Sequence, residues 1–277
     1  MRFLTTRFVM TPQELLCAVE KYGFGICRSD IESGLRNEVL FSPRESKYDD
    51  LPLGGTKQGG EPDLSSGIDW PKYARCGVPG RRNTSKPMTF LMQVRCSDLK
   101  PFAPPQFPDH GLLSFFVAIE QNELVCDTHE QPLGRVLYRP GLAAEMQVRM
   151  PFPRGLYFGN RLPPCSLKIE SSASIDFTTL CDVVERRLGY SQEIGNRVRN
   201  LYRQELISRG CHKSFGPATM VNTDLSDDSL LLLEFDLTEL PSDILTDENG
   251  RLFFEINRDN LAACRFDTTS LRHDVIA

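Results

Sequence analysis

Phe90-Leu91-Met92-Gln93-Val94-Arg95-Cys96 and Leu231-Leu232-Leu233-Glu234-Phe235-Asp236-Leu237 carry the argument for the fold. In the first, Phe90, Met92, Val94 and Cys96 share one face, and Leu91, Gln93 and Arg95 the other. In the second, Leu231, Leu233, Phe235 and Leu237 share a face, with Glu234 and Asp236 opposite. A period of two is the mark of a half-buried strand. The likeness extends outward. Ser97-Asp98-Leu99 leaves the first stretch and Thr238-Glu239-Leu240 the second. After a loop come the turns Asp109-His110-Gly111 and Glu248-Asn249-Gly250. Leu113, Phe115 and Val117 then match Leu252, Phe254 and Ile256. Face pattern, exit and turn glycine recur together. Phe90–Val117 and Leu231–Ile256 therefore read as two copies of one strand–loop–strand unit, too few for a solenoid.

Around this unit the chain supplies other elements. Thr11 caps a helix with Pro12 at its first position and Glu14 completing a capping box; Leu15, Leu16, Val19 and Tyr22 form its apolar stripe. From Ser42 to Lys86, glycine, proline and charge predict a long ordered loop with glycine at its turns. Short strands are expected at Gly134–Tyr138 and Gln147–Met150. Asp176 caps a helix with Leu180, Val183, Val184 and Leu188 facing inward and Gly189 as its stop. In a further helix Ile194, Val198 and Leu201 face inward. No linker divides the chain. The expected architecture is a single α+β domain with a large, mostly antiparallel curved sheet built from the internal duplication and flanked by a few helices. Residues 1–50 form a helical lead-in packed on residues 51–277.

Composition bounds the function. The chain has 277 residues, 40% hydrophobic and 25% charged, which is ordinary for a globular protein and against disorder. A net charge of −5 speaks against a duplex-binding surface. The first ten residues lack the apolar run of a signal peptide, and Leu230–Phe235 is too short to span a membrane. The nine cysteines are odd in number and scattered, with no CxxC pair, which fits a reducing cytosol better than a disulfide framework.

Three stretches resemble the YwqG-like family of mostly bacterial, uncharacterised proteins. The first runs from Gly59-Gly60-Glu61-Pro62-Asp63-Leu64 to Trp70-Pro71, through Pro87–Leu99, to Gly111-Leu112-Leu113-Ser114-Phe115-Phe116. The second is His212-Lys213-Ser214-Phe215-Gly216-Pro217, ending in Val221-Asn222-Thr223-Asp224. The third is Leu231–Asp236 followed by Gly250-Arg251-Leu252-Phe253-Phe254. A longer insert around Arg75–Ser85 departs from the family pattern, as does Asn222, where glutamine is common. The resemblance implies a cytosolic α+β fold with a large curved sheet, and it implies no reaction.

No catalytic signature survives inspection. In Gly54-Gly55-Thr56-Lys57-Gln58-Gly59-Gly60 the lysine sits mid-loop and Glu61 and Asp63 follow, so turn chemistry replaces a phosphate loop. Gly23-Phe24-Gly25 lacks the third glycine of a dinucleotide site. The four histidines are dispersed without ligand spacing, so no metal or other cofactor is expected. Glu61, Asp63 and Asp69 cluster beside Trp70. One reading makes this a polar pocket with an aromatic wall for a cationic or sugar-like group. The plainer reading makes Trp70 a core plug and the carboxylates turn caps. Gln93 and Arg95 share a strand face, and His212 lies in the family motif, so Glu61, Asp63, Trp70, Gln93, Arg95 and His212 are the candidate ligand-binding residues. Arg197, Arg199 and Arg203 are the candidate contacts for an acidic partner, tempered by Glu193 and Glu205. The leading expectation is a non-catalytic cytosolic binding protein with a protein partner, for example a toxin that it neutralises. The alternative is a small-molecule enzyme or ligand-binding protein with its site in a cleft between the two copies.

Overall fold

In the computed structural model, which describes residues 9–44, 50–65, 67–74, 85–126, 133–141, 147–157, 161–207, 211–219, 228–240, 244–245 and 250–275, both alternating stretches are strands. In chain order the strands are β1 (Arg36–Arg44), β2 (Lys57–Gln58), β3 (Asp63–Ser65), β4 (Lys72–Ala74), β5 (Ser85–Pro87), β6 (Thr89–Arg95), β7 (Leu112–Val117) and β8 (Ile119–Glu120). They continue with β9 (Glu123–Leu124), β10 (Gly134–Arg139), β11 (Gln147–Arg149), β12 (Cys165–Ser174), β13 (His212–Ser214), β14 (Ser229–Asp236), β15 (Gly250–Asn257) and β16 (Ser270–Val275). The helices are α1 (Pro12–Lys21), α2 (Arg28–Ser33), α3 (Cys96–Leu99), α4 (Phe177–Leu188), α5 (Gln192–Leu201) and α6 (Arg258–Ala262).

Ten strands form one antiparallel sheet in the order β10-β7-β6-β2-β12-β1-β13-β14-β15-β16. The sheet curls until it is nearly closed. Gly134 on β10 faces Leu271 on β16 so closely that a Cβ there would lie 2.6 Å from Leu271 Cδ2. The inner face is apolar. Met92, Val94, Leu113, Phe115, Leu233, Phe235, Leu252 and Phe254 are buried together, and Phe115 meets Phe254 edge-on with ring centroids 5.2 Å apart. The space between the two copies is therefore filled with side chains. β6 and β14, the first strands of the two copies, each carry a register shift against the strand that follows, between Phe90 and Met92 and between Leu231 and Leu233. The Glu248-Asn249 turn, and the insert except for Ser85, lie outside the described residues.

Helices α1, α2, α4 and α5 cover one outer flank. Thr11 caps α1 with both halves of the capping box in place, and Asp176 caps α4 through the Thr179 N–H. Leu15, Leu16 and Val19 of α1 pack with Leu180, Val183 and Val184 of α4, Val198 and Leu201 of α5, and Ala173 and Ile175 at the end of β12. Leu188 stays 38% exposed, so the inward stripe of α4 stops a turn earlier than its pattern predicts. The first fifty residues do more than lead in: β1 lies mid-sheet, paired with β12 and β13. No described helix is long and apolar enough to cross a membrane.

Candidate functional site

The glycine-rich turns on either side of β2 fold around a buried lysine. Lys57 Nζ donates to Asp63 Oδ1 at 2.9 Å and to the Glu61 carbonyl at 2.8 Å. Asp63 is fully buried and its carboxylate is saturated. Oδ2 accepts from the Gly54 N–H (2.9 Å) and Gln93 Nε2 (2.7 Å), and Oδ1 also accepts from Arg149 Nε (3.3 Å). Gln93 replies with Oε1, which accepts the Asp63 N–H at 2.9 Å, while its Nε2 also reaches the Gly55 carbonyl at 2.8 Å. Arg139 donates to the Asp63 carbonyl and to Ser65 Oγ, and Arg95 Nε to the Gly54 carbonyl at 2.9 Å. Burial pushes the pKa of Lys57 down, against the pull of the Asp63 pair. The lysine that a phosphate loop would aim at its ligand is thus bonded to Asp63.

A second buried lysine lies across the sheet. Lys213 on β13 sits 3.2 Å from Glu38 Oε2 on β1 and 3.4 Å from Glu234 Oε2 on β14. Arg251 on β15 pairs with Glu234 and, at 3.2 Å, with Asp236. The Thr219 N–H donates to Glu234 Oε2 at 2.9 Å. Burial alone would raise the Glu234 carboxyl, but Lys213, Arg251 and the Thr219 bonds hold it below its ordinary value. Burial works against the charge on Lys213, yet Glu234 and Glu38 raise its pKa above the ordinary value.

Of the six candidate ligand residues, the structure joins Asp63, Gln93 and Arg95 around the first node, with Glu61 taking part through its carbonyl. Trp70 belongs to a different cluster. It is 5% exposed, donates Nε1–H to the Met88 carbonyl at 2.8 Å, and packs on Phe116 at 5.6 Å, so it is a core plug. His212 is stacked on Phe235 at 3.9 Å. Its Nδ1 accepts the Asp236 N–H at 3.0 Å, which places the ring proton on Nε2, 3.0 Å from Gln58 Oε1. Both ring nitrogens are thereby engaged inside the fold. The three arginines also separate. Arg197 donates to the Tyr22 carbonyl and stacks over Phe24 at 5.0 Å, Arg199 reaches Asn196 Oδ1 at 3.4 Å, and Arg203 is half-buried on the π-helical turn after α5.

An open cleft of about 480 Å³ lies on the flank of the first copy. Pro87, Ile119 and Leu156 supply its apolar lining together with the rings of Tyr73 and of Tyr157, the latter 65% exposed. Lys86 on β5 and Glu120 on β8 form an ion pair in its lining, which also takes in the turn Gln121-Asn122, both residues in left-handed backbone. Four separate segments build this cleft, so no local pattern in the sequence marks it. The lysine nodes did leave a trace there. Lys57-Gln58-Gly59-Gly60 and Lys213-Ser214-Phe215-Gly216 both place glycine three positions after lysine. Among the described residues, no cluster of three or more His, Cys, Asp or Glu side chains could hold a metal ion.

A nearly closed antiparallel sheet with flanking helices, buried charge nodes and a lateral cleft defines an α+β protein. The chain belongs to the DUF1963 family, a domain of unknown function, whose model matches residues 56–274. No curated protein matches the chain.

Proposed function

We propose that this chain is a non-catalytic binding protein that holds an extended segment of a protein partner in the cleft beside Tyr157. The cleft itself carries this reading. It lies between two two-stranded ribbons, β4–β5 and β8–β9, and joins an apolar lining to a charge pair that is already neutralised. An extended segment can add to such a ribbon by backbone bonding while a side chain enters the cleft. The commitment of Asp63, Gln93 and His212 to internal bonds supports the same reading, because those groups build the scaffold instead of facing a substrate. In its finer form, the protein is a cytosolic, bacterial member of the YwqG-like group that neutralises a partner such as a toxin. The test compares wild type with Tyr157→Asp, a change at an exposed ring. A partner recovered stoichiometrically by wild type, rebound when purified, and lost by the variant supports the proposal. Equal binding by the two forms counts against it.

The cleft volume favours a second reading, a small-molecule ligand or substrate, since such sites commonly enclose about 300–1,000 Å³. A metabolite that raises the melting temperature of wild type but not of Tyr157→Asp would select it.

A further inference from the structure

We infer that the chain is a strand-exchanged duplicate: two units share one buried-lysine design and complete each other's sheet, and segments lying between the shared strands build the cleft. Unit one is β1, β2, β6, β7 and β10; unit two is β12, β13, β14, β15 and β16. The sheet order is then symmetric about its centre, running β10-β7-β6-β2-β12 on one side and β16-β15-β14-β13-β1 on the other. The long first strand of each unit sits in the other unit's half. Within the ladder, Ser166 of β12 pairs with Lys57, and Leu40 of β1 pairs with Lys213, so each node lysine faces a strand from the opposite unit.

The match holds residue by residue. Two positions after each lysine the backbone is left-handed, at Gly59 (φ 62°) and at Phe215 (φ 67°). That conformation is natural for glycine and costly for phenylalanine. Descent from a common unit explains why Phe215 adopts it. The N–H groups of these residues donate to Leu91 and Leu231 at 2.8 and 2.9 Å. Six positions after each lysine, Asp63 and Thr219 donate their N–H to a side chain on the next long strand, Gln93 and Glu234, both at 2.9 Å. The carboxylate has changed places. Unit one carries it on the segment after the lysine, at Asp63, with neutral Gln93 on the long strand. Unit two carries it on the strand, at Glu234, with neutral Thr219 on the loop. Either arrangement gives the buried lysine its counter-ion.

The units differ at the cleft. Between β2 and β6 unit one inserts β3, β4 and β5, and between β7 and β10 it has β8 and β9; between β15 and β16 unit two has α6 and a 3-10 turn instead. Lys86 and Glu120 stand on those additions. The cleft's role rests on the binding proposal above; the duplication does not.

Moving the carboxylate tests the equivalence in the full-length protein. Asp63→Thr and Gln93→Glu are each expected to lower the melting temperature, and the double variant to recover most of the loss, because it writes the second unit's arrangement into the first. Thr219→Asp with Glu234→Gln is the reciprocal pair and keeps the test alive if the first singles do not fold. Recovery in either pair supports the inference. Losses that add, or worsen, in both pairs overturn it, whatever the result of the partner-binding test.

Discussion

Phe254→Ala asks whether the space between the two copies is packed core or a soft cleft. Phe254 is 1% exposed, as is Phe115, and the rings meet at 74° with centroids 5.2 Å apart. Removing a buried phenyl ring from a close-packed interior costs about 3–5 kcal/mol. At about 2–4 °C per kcal/mol for a large domain, the melting temperature should fall by roughly 6–20 °C. The edge-to-face contact adds a second quantity. Phe115→Ala, Phe254→Ala and the double variant form a cycle whose coupling should be about 0.5–1.5 kcal/mol, so the double loses less than the sum. Urea unfolding followed by circular dichroism measures all three. A loss below about 1 kcal/mol with no coupling would falsify the packed-core reading, because surface-like substitutions sit in that range.

Other perturbations reach the nodes and caps. Asp63→Asn should destabilise by about 3–5 kcal/mol. Its amide must turn its NH₂ toward either Lys57 and Arg149 or Gly54 N–H and Gln93 Nε2, donors in both cases; Asp69→Asn, at an exposed carboxylate, is the control in the same urea assay. Glu234 is held below its ordinary value of 4.5, so its stabilisation is complete above that value and lost as pH falls through the lowered one. Melts between pH 7 and pH 3 should drop more steeply for wild type than for Glu234→Gln, and parallel curves would remove Glu234 as the cause. Burial, with Cys264 and Asp98 nearby, pushes the Cys96 thiol up to about 12, so alkylation should label it only after unfolding while exposed Cys17 reacts in the native state. Thr11→Ala removes the hydroxyl that accepts the Glu14 N–H, leaves the backbone N–H of position 11 on the Glu14 carboxylate, and should cost about 1 kcal/mol in a thermal melt.

Elements with strong periodicity were legible from the residues alone. The paired hairpin strands, the Thr11 and Asp176 caps and the strands at Gly134 and Gln147 follow from alternation and capping chemistry. β1 and β12 were not. Pro43 interrupts the first, and Ser166-Leu167-Lys168-Ile169-Glu170-Ser171-Ser172 carries too little apolar contrast to announce a central strand. Both are central because their neighbours along the ladder come from distant parts of the chain. The site divides in the same way. Asp63 and Gln93, both candidate ligand residues, meet in bonds internal to the fold. Lys57 reads in sequence as part of a turn, and Lys213, Arg139, Arg149 and Arg251 carry no signal because a lone cation in sequence reads as solvated; only tertiary pairing makes their burial tolerable. Arg197, expected to face solvent or a partner, is fastened to the end of α1 by a carbonyl and a ring.

The seam between β10 and β16 has a mechanical meaning. Along every other line of the great sheet, separating two strands breaks backbone hydrogen bonds. Here the lips meet by packing, the Gly134 backbone against the Leu271 side chain and Tyr138 against Phe266 of the 3-10 turn before β16 at 4.7 Å, with no ladder joining the two strands in the described residues. Parting them breaks packing alone, so the molecule should breathe along this line first, and the amides of β10 and β16 that point into the gap should exchange with deuterium ahead of those in β14 and β15. An open lip is also a bare strand edge, the kind of surface on which chains stick to one another. The glycine at 134, which lets the lips close to contact, therefore guards against aggregation as much as it shapes the fold.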